Sequence, residues 1–516
     1  MVQAKSPTRT SADRRLDTLR NQVVAFRKIR SRGEYKDRSY RCRGPEFKLG
    51  CHVTVTMLMA LLLQVVAVVL LRHRLGQYWL RHPVTLIVLA SAVYQGLSPV
   101  LLIFQPIGAL DSYRNGVQQN FTNSATLLMS AEMLAFTIAY LITRPERTDV
   151  MAGSANVRNV IKALDWKWLT GVCVPLAILT YEGRGYNNSL AVGPTLGSNL
   201  AVTFFILLVV VAAFSFLLRH GVRWFILVLT VQSLVLAAAG ERIPVITDAI
   251  TLILMLLLAG SPPSTRQMRT ASALTLIAIL AITGLRVEQG RSLFYKDSGL
   301  STRIFALGSG LTEFGGSSST SLTGSALIAQ TAVRVDGVDF AGAILQSLSF
   351  GQQRLSATYV PESLLLVVPS SIWSSKLAKG DALDPAYMEV SDFGLQKINF
   401  LPTLPGLYVG FLSAPWLLAL LAFIGWLCGC GERWLFRRCT PARLILLAAA
   451  VIAALAYEKG LPGMLVALRA GVAIAVVVKL VEVLRARSNR RQHREILNAA
   501  PDFALVKAQD LRRTTS

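Results

Sequence analysis

Histidine is scarce in this chain, five in 516 residues, and only 16% of the sequence is charged. No His-Glu-x-x-His pair, no Gly-x-x-x-x-Gly-Lys phosphate loop and no Gly-x-Gly-x-x-Gly fingerprint occurs, which argues against zinc peptidases, P-loop NTPases and Rossmann dehydrogenases. An Asp-x-Asp of the kind that holds a metal-bound nucleotide sugar is also missing, so ATP-driven and nucleotide-sugar-driven chemistry is disfavoured, and no metal or cofactor is expected. Six cysteines stand at 42, 51, 173, 428, 430 and 439. Cys428, Cys430 and Cys439 lack a fourth ligand at zinc spacing and read as helix-end cysteines in a reducing compartment. No cleavable signal peptide is expected, because the first apolar stretch begins near residue 49 behind a long basic tail.

What the chain has in quantity is hydrophobic sequence, 53% of it. A soluble fold could not bury that much, so the expected class is all-α, a polytopic integral membrane protein. Stretches able to cross ~30 Å of hydrocarbon fall at 49–71, 83–104, 122–142, 199–218, 243–260, 271–287, 404–427, 441–457 and 461–483. Weaker ones lie at 166–181 and 224–239. The total is about eleven transmembrane helices, bounded roughly by ten and fourteen, under the length rule.

Net charge is +24, from 53 Lys and Arg against 29 Asp and Glu. The excess sits in tails and short connections, which fits positive-inside topology and anionic lipid rather than nucleic acid. Five regions follow: a basic tail over 1–48, a transmembrane bundle over 49–287, a large extracytoplasmic loop over 288–402, further spans over 403–484, and a basic cytoplasmic tail over 485–516. Arg144 and Arg147, Arg219 and Arg223, Arg266 and Arg269, and Arg433, Arg437 and Arg438 mark cytoplasmic connections. Alternation then puts the Gly240–Pro244 break and the long loop outside. It also puts the basic N-terminal tail outside, against its charge; either one more helix precedes residue 142 or the tail departs from the rule.

The loop carries apolar pieces at 321–335, 340–350 and 363–373, too short to span and suited to amphipathic or re-entrant helices at the membrane surface. Arg242 stands beside Pro244, which can open the next helix. A guanidinium at a helix N-terminus suits a phosphate, and an interfacial arginine snorkelling to headgroups is the plainer alternative. Arg286 and Arg291 could bracket a diphosphate or anchor a helix end. Glu313, ahead of Phe314, Gly315 and Gly316, is either a general base or a capping residue, and Arg303 is a weaker candidate. Glu132, Asp248, Arg469 and Lys479 fall inside apolar stretches and must be paired or line a groove.

Four pieces together resemble the O-antigen polymerase (Wzy-like) family of oligosaccharide repeat-unit polymerases. They are Gly240-Glu241-Arg242-Ile243-Pro244, Glu313-Phe314-Gly315-Gly316, Val368-Pro369-Ser370-Ser371-Ile372-Trp373-Ser374-Ser375-Lys376, and Gly406-Leu407-Tyr408-Val409-Gly410-Phe411. The family's usual Asn-Phe-Gly is replaced by Asn399-Phe400-Leu401. The resemblance covers roughly 50–485 and implies transfer of a growing glycan from undecaprenyl diphosphate to a lipid-linked repeat unit. The site implied is the outer face of the bacterial cytoplasmic membrane, and no metal or other cofactor takes part. By position, Arg242 would bind the diphosphate with Arg286 and Arg291, and Glu313 would activate the acceptor hydroxyl. Arg303 and Lys376 would lie near headgroups or acceptor. Membrane lipid, a chain-length regulator and a flippase are the implied partners, with no nucleic acid. An O-antigen ligase-like enzyme, another lipid-linked glycosyltransferase, or a precursor transporter (flippase) are the competing expectations.

Overall fold

The computed structural model describes residues 55–97, 117–144, 337–368, 385–395, 402–437 and 440–466, with short pieces within 159–160, 250–273 and 468–487. The chain divides into Met1–His52 and Val53–Ser516, and all described residues belong to the second unit. They form helices and turns, with no strand among them. In order these are α1 (Val55–Leu75), a 3-10 turn (Gly76–Arg81), α2 (Pro83–Ser91) continued by a π turn (Ala92–Leu97), and α3 (Gln119–Thr143). Then come α4 (Asp339–Ser349), α5 (Tyr359–Ser363) with a 3-10 turn (Leu364–Val367), α6 (Pro385–Asp392), α7 (Ala414–Arg437) and α8 (Pro441–Leu455).

Among the described residues, four helical stretches are long and apolar enough to cross a membrane: Val55–Arg81, Asn120–Thr143, Ala414–Arg437 and Tyr457–Leu480. Their outward faces are apolar, with Leu58, Leu62, Val65 and Val69 on α1 and Trp416, Phe423, Trp426 and Trp434 on α7 all exposed. A helix that is hydrophobic all round needs an apolar solvent, and this is a membrane protein. Trp416 and Trp434 stand near opposite ends of α7, about 27 Å apart along its axis, a spacing that matches the two interfacial belts where tryptophan collects.

Packing fixes helix directions. Gln64 of α1 bonds to Ser130 of α3, while His82, just beyond α1, bonds to Tyr140 near the end of α3. Those helices therefore run parallel. Gly425 and Gly429 of α7 lie against the backbone of Phe136 and Tyr140, so α7 runs parallel to α3 as well. The glycines form a Gly-x-x-x-Gly step: a Cβ at Gly425 would strike the Phe136 carbonyl, and one at Gly429 the Thr143 hydroxyl. Thr143 Oγ1 also donates to the Trp426 carbonyl across the seam at 3.1 Å. α1 and α3 pack directly on each other, α2 runs back alongside them, and α8 packs along α2.

The bundle thus has two chemically different ends. Arg72, Arg74, Arg81, Arg144, Arg433, Arg437 and Arg443 cluster towards one. α4 covers the other: Gly342 packs on Thr122, Thr122 Oγ1 donates to Asp339 Oδ1 at 3.3 Å, and Gln346 Oε1 accepts from Gln118 N at 2.7 Å. The expected 340–350 surface piece is therefore a helix whose first half, Asp339 to Ile344, is buried.

Two expectations are corrected. The stretch expected to span from 404 instead folds as tight turns through residue 412, and α7 begins at Ala414 and runs on to Arg437. Pro405, Gly406 and Gly410 break helical continuity, and Pro415 sits in the first turn, where its missing N–H costs least. Consequently Cys428 and Cys430 lie within α7 rather than at a helix end; both are free thiols.

Candidate functional site

Arg242, Arg286, Arg291, Arg303, Glu313 and Lys376 lie outside the described residues, as does Asp248. Three polar assemblies stand among the residues that are described, each from side chains far apart in sequence.

The first lies at the basic end. His82 precedes Pro83 and makes no side-chain cap for α2. Glu432, about five turns into α7, supplies it: Oε1 accepts from Val84 N at 3.0 Å. Its Oε2 is 2.9 Å from His82 Nδ1 and accepts from the Tyr140 hydroxyl at 2.6 Å. His82 Nδ1 is also 2.8 Å from the Tyr140 oxygen. A proton on Nδ1, assigned from this network, lets His82 donate to both. All three side chains are buried, and the carboxylate faces the positive end of the α2 dipole. Both carboxylate oxygens, the Tyr140 hydroxyl and His82 Nδ1 are bonded here, so the chemistry of this junction is that of a clamp.

The second runs through the middle. Gln64 is one polar residue in the long apolar run of α1. Its Nε2 lies within 3.1 Å of Ser91 Oγ, 3.0 Å of Gln95 Oε1 and 3.1 Å of Ser130 Oγ. Ser91 Oγ donates to Gln95 Oε1 at 2.6 Å, and Gln95 Nε2 donates to the Tyr457 hydroxyl at 2.6 Å. The π turn carries Tyr94 and Gln95 to this point, as single π turns inside helices often do at functional sites. Tyr94 donates to Glu458 Oε2 at 3.2 Å. Beside this chain lie two orphans. Both oxygens of Glu132 and the hydroxyl of Thr403 are buried with no hydrogen-bond partner among the described residues.

The third holds the 402–412 turns at the end opposite the basic one. Gly410 N donates to Glu389 Oε1 at 2.8 Å, and Gly410 O accepts from Leu355 N at 2.9 Å. Arg354 Nη1 donates to the Val409 and Leu412 carbonyls, both at 2.6 Å. Partial burial draws the Arg354 guanidinium below its ordinary pKa, by desolvation. The Tyr408 hydroxyl meets Ser363 Oγ at 3.0 Å, and Leu404 N donates to the Tyr457 carbonyl at 3.1 Å. Leu404, Leu407, Tyr408 and Val409 are buried. The Gly406–Phe411 motif is thus irregular backbone sunk among membrane helices, every turn of it held by the preceding loop.

Of the intramembrane charges expected to pair or line a groove, Arg469 donates to the Val367 carbonyl at 2.6 Å and Lys479 is exposed. Of those that are described, Glu132 alone is both fully buried and without a hydrogen bond. Sequence reasoning did not single out His82, Gln64, Gln95 or Glu432. The available signal was a solitary polar side chain in an apolar helix, the same one that marked Glu132.

No protein-family model, no curated protein and no solved structure matches the chain.

Proposed function

We propose that this chain is a polysaccharide polymerase of the bacterial cytoplasmic membrane, with about eleven spans by the length rule and its long loop outside. It transfers a growing glycan from undecaprenyl diphosphate to a lipid-linked repeat unit. Glu313 takes the proton of the acceptor hydroxyl as that oxygen attacks the anomeric carbon. The departing diphosphate is stabilised by Arg242, Arg286 and Arg291, which can replace a metal because the leaving group is already activated. Arg303 and Lys376 contact headgroup or acceptor. A flippase delivers the repeat units, and a chain-length regulator acts on the product.

The observation that carries this reading is the buried Gly406–Phe411 turn and its clamps to Arg354 and Glu389. Irregular backbone survives at membrane depth where protein encloses it or it lines a cavity, and a loop docked in this way suits a cover over a headgroup groove. Helix direction adds support. The parallel arrangement of α3 and α7 calls for an odd number of crossings between them, as in the eleven-span count. The arginine-rich end then faces the cytoplasm and the loop-covered end faces outward.

The test is deletion of the gene in its native cell followed by glycan length analysis. Accumulated single repeat units support polymerisation; unattached full-length polymer points to a ligase, and loss of any exported unit to a flippase. Arg242→Ala and Glu313→Ala variants that reach the membrane at normal levels yet still make long polymer would refute the residue assignments.

A further inference from the structure

Glu132 sits at the centre of the Asn120–Thr143 span, with a side chain that is 0% exposed and neither oxygen hydrogen-bonded among the described residues. Intramembrane carboxylates normally meet an arginine, a lysine or backbone donors, because an ionised group without a partner is very costly in a low-dielectric interior. Among the described residues no such partner reaches this one.

On α3 Glu132 is flanked by Met129 and Met133, both fully buried. One helical turn before it, Met129 Cε and the Thr403 hydroxyl lie equally close, 3.2 Å each, to the point where a Cβ on Gly406 would stand. Thr403 Oγ1 is the other buried hydroxyl with no bond. The next residue, Leu404, donates to the Tyr457 carbonyl, and Met133, which follows Glu132 on α3, packs in one buried cluster with Leu404 and Tyr457. Glu132, Thr403 and Tyr457 therefore share one neighbourhood where α3, the 402–412 turns and the start of the last span converge. Among the described residues the titratable groups beyond it are Tyr94 and Glu458, bonded to each other.

We propose that Glu132, with Thr403 and Tyr457 beside it, forms an exchangeable binding site for one monovalent cation, a proton or an alkali ion, at mid-membrane. Neutralisation by a bound cation removes the charge that the bundle does not otherwise compensate, and the two orphaned oxygens supply ligands that the fold leaves open. In the proton case the carboxylate gains one proton and becomes a neutral acid, which a buried position tolerates far better than the ion. In the sodium case the carboxylate and the hydroxyls are the ligands, a hard-oxygen set suited to alkali ions. The inference does not depend on the glycan reading, and its test reads no polymer.

The full-length protein, purified in detergent, is melted across a range of pH and sodium concentration beside its E132Q variant. Wild-type melting temperature is expected to shift with sodium at fixed pH, or with pH alone, and E132Q is expected to lose that shift. Dependence on sodium assigns an alkali ion, and dependence on pH alone assigns a proton. In parallel, wild-type protein is treated with dicyclohexylcarbodiimide, which modifies protonated buried carboxyls, and the Glu132 peptide is weighed. Modification should occur and fall as sodium or pH rises. The proposal is overturned if E132Q melts with the wild-type dependence on both, or if Glu132 labelling is absent or constant across both.

Discussion

Glu432 and His82 are 350 positions apart in the chain, yet Oε2 of one lies 2.9 Å from Nδ1 of the other. The same carboxylate caps α2 through Val84 N and receives the Tyr140 hydroxyl. One side chain of α7 thereby ties together the end of α1, the start of α2 and the end of α3. No covalent link or ligand is needed for that junction.

Removing the shared acceptor should cost more than removing one donor. Glu432→Ala leaves Val84 N–H, His82 and Tyr140 buried without it, and each orphaned group costs about 1–3 kcal/mol. Tyr140→Phe deletes one donor and should cost roughly 1 kcal/mol. Thermal unfolding in detergent should rank wild type, Tyr140→Phe and Glu432→Ala in falling stability. Equal melting of the two variants would contradict the shared-acceptor account.

The α3–α7 seam depends on two glycines. Gly425→Ala forces a methyl group into the Phe136 backbone, and overpacking of this kind costs about 1–3 kcal/mol. Gly431, on the same helix, has nothing within 4 Å of an added Cβ. Gly431→Ala should therefore be neutral or slightly stabilising, by up to roughly 1 kcal/mol. Paired melting curves separate a packing effect from a general change in helix propensity.

The docked turn should loosen selectively. An alanine Cβ at Gly410 would meet the Phe393 ring at 2.7 Å and Glu389 Oε1 at 2.8 Å. Gly410→Ala and Arg354→Ala should both speed amide exchange across 402–412 while leaving α1 and α3 protected. Uniform loss of protection along the chain would mean that the turn is part of the global core and not a separable cover.

The mid-membrane chain ends on Tyr457. Tyr457→Phe leaves Gln95 Nε2 without its acceptor and should cost about 1–2 kcal/mol. Gln64→Leu removes the donor shared by Ser91, Gln95 and Ser130 and should cost at least as much. A double mutant losing less than the sum of the two single losses would show that they act through one network.

Span existence was legible because it is a matter of composition over about twenty residues. Residues 55–71 of the stretch expected at 49–71 lie on α1 and the stretch expected at 122–142 lies on α3, each helix running a few residues further. The start of α7 was not legible, because Leu407, Tyr408, Val409 and Phe411 are as apolar as a span while Pro405 and Gly410 fold them into turns. Hydropathy counts side chains and does not register backbone geometry. Of the arginines that marked cytoplasmic connections, Arg144, Arg433 and Arg437 gather at one end of the bundle, together with Arg72, Arg74 and Arg81. The described helices therefore keep the parity that set the basic N-terminal tail against the positive-inside rule.

The sequence by itself determined that this is a helical membrane protein and which residues carry charge where charge is expensive. It could not determine which of those residues meet. Gln64, Ser91, Gln95, Ser130 and Tyr457 come from four separate helical segments, and Glu432 finds His82 only because α7 packs parallel to α3 through two glycines. Tertiary packing alone decided that Glu432 is fully bonded and Glu132 is not. The physical reason is that hydrogen bonding depends on distances of a few ångströms between groups hundreds of residues apart, and hydropathy carries no record of those distances.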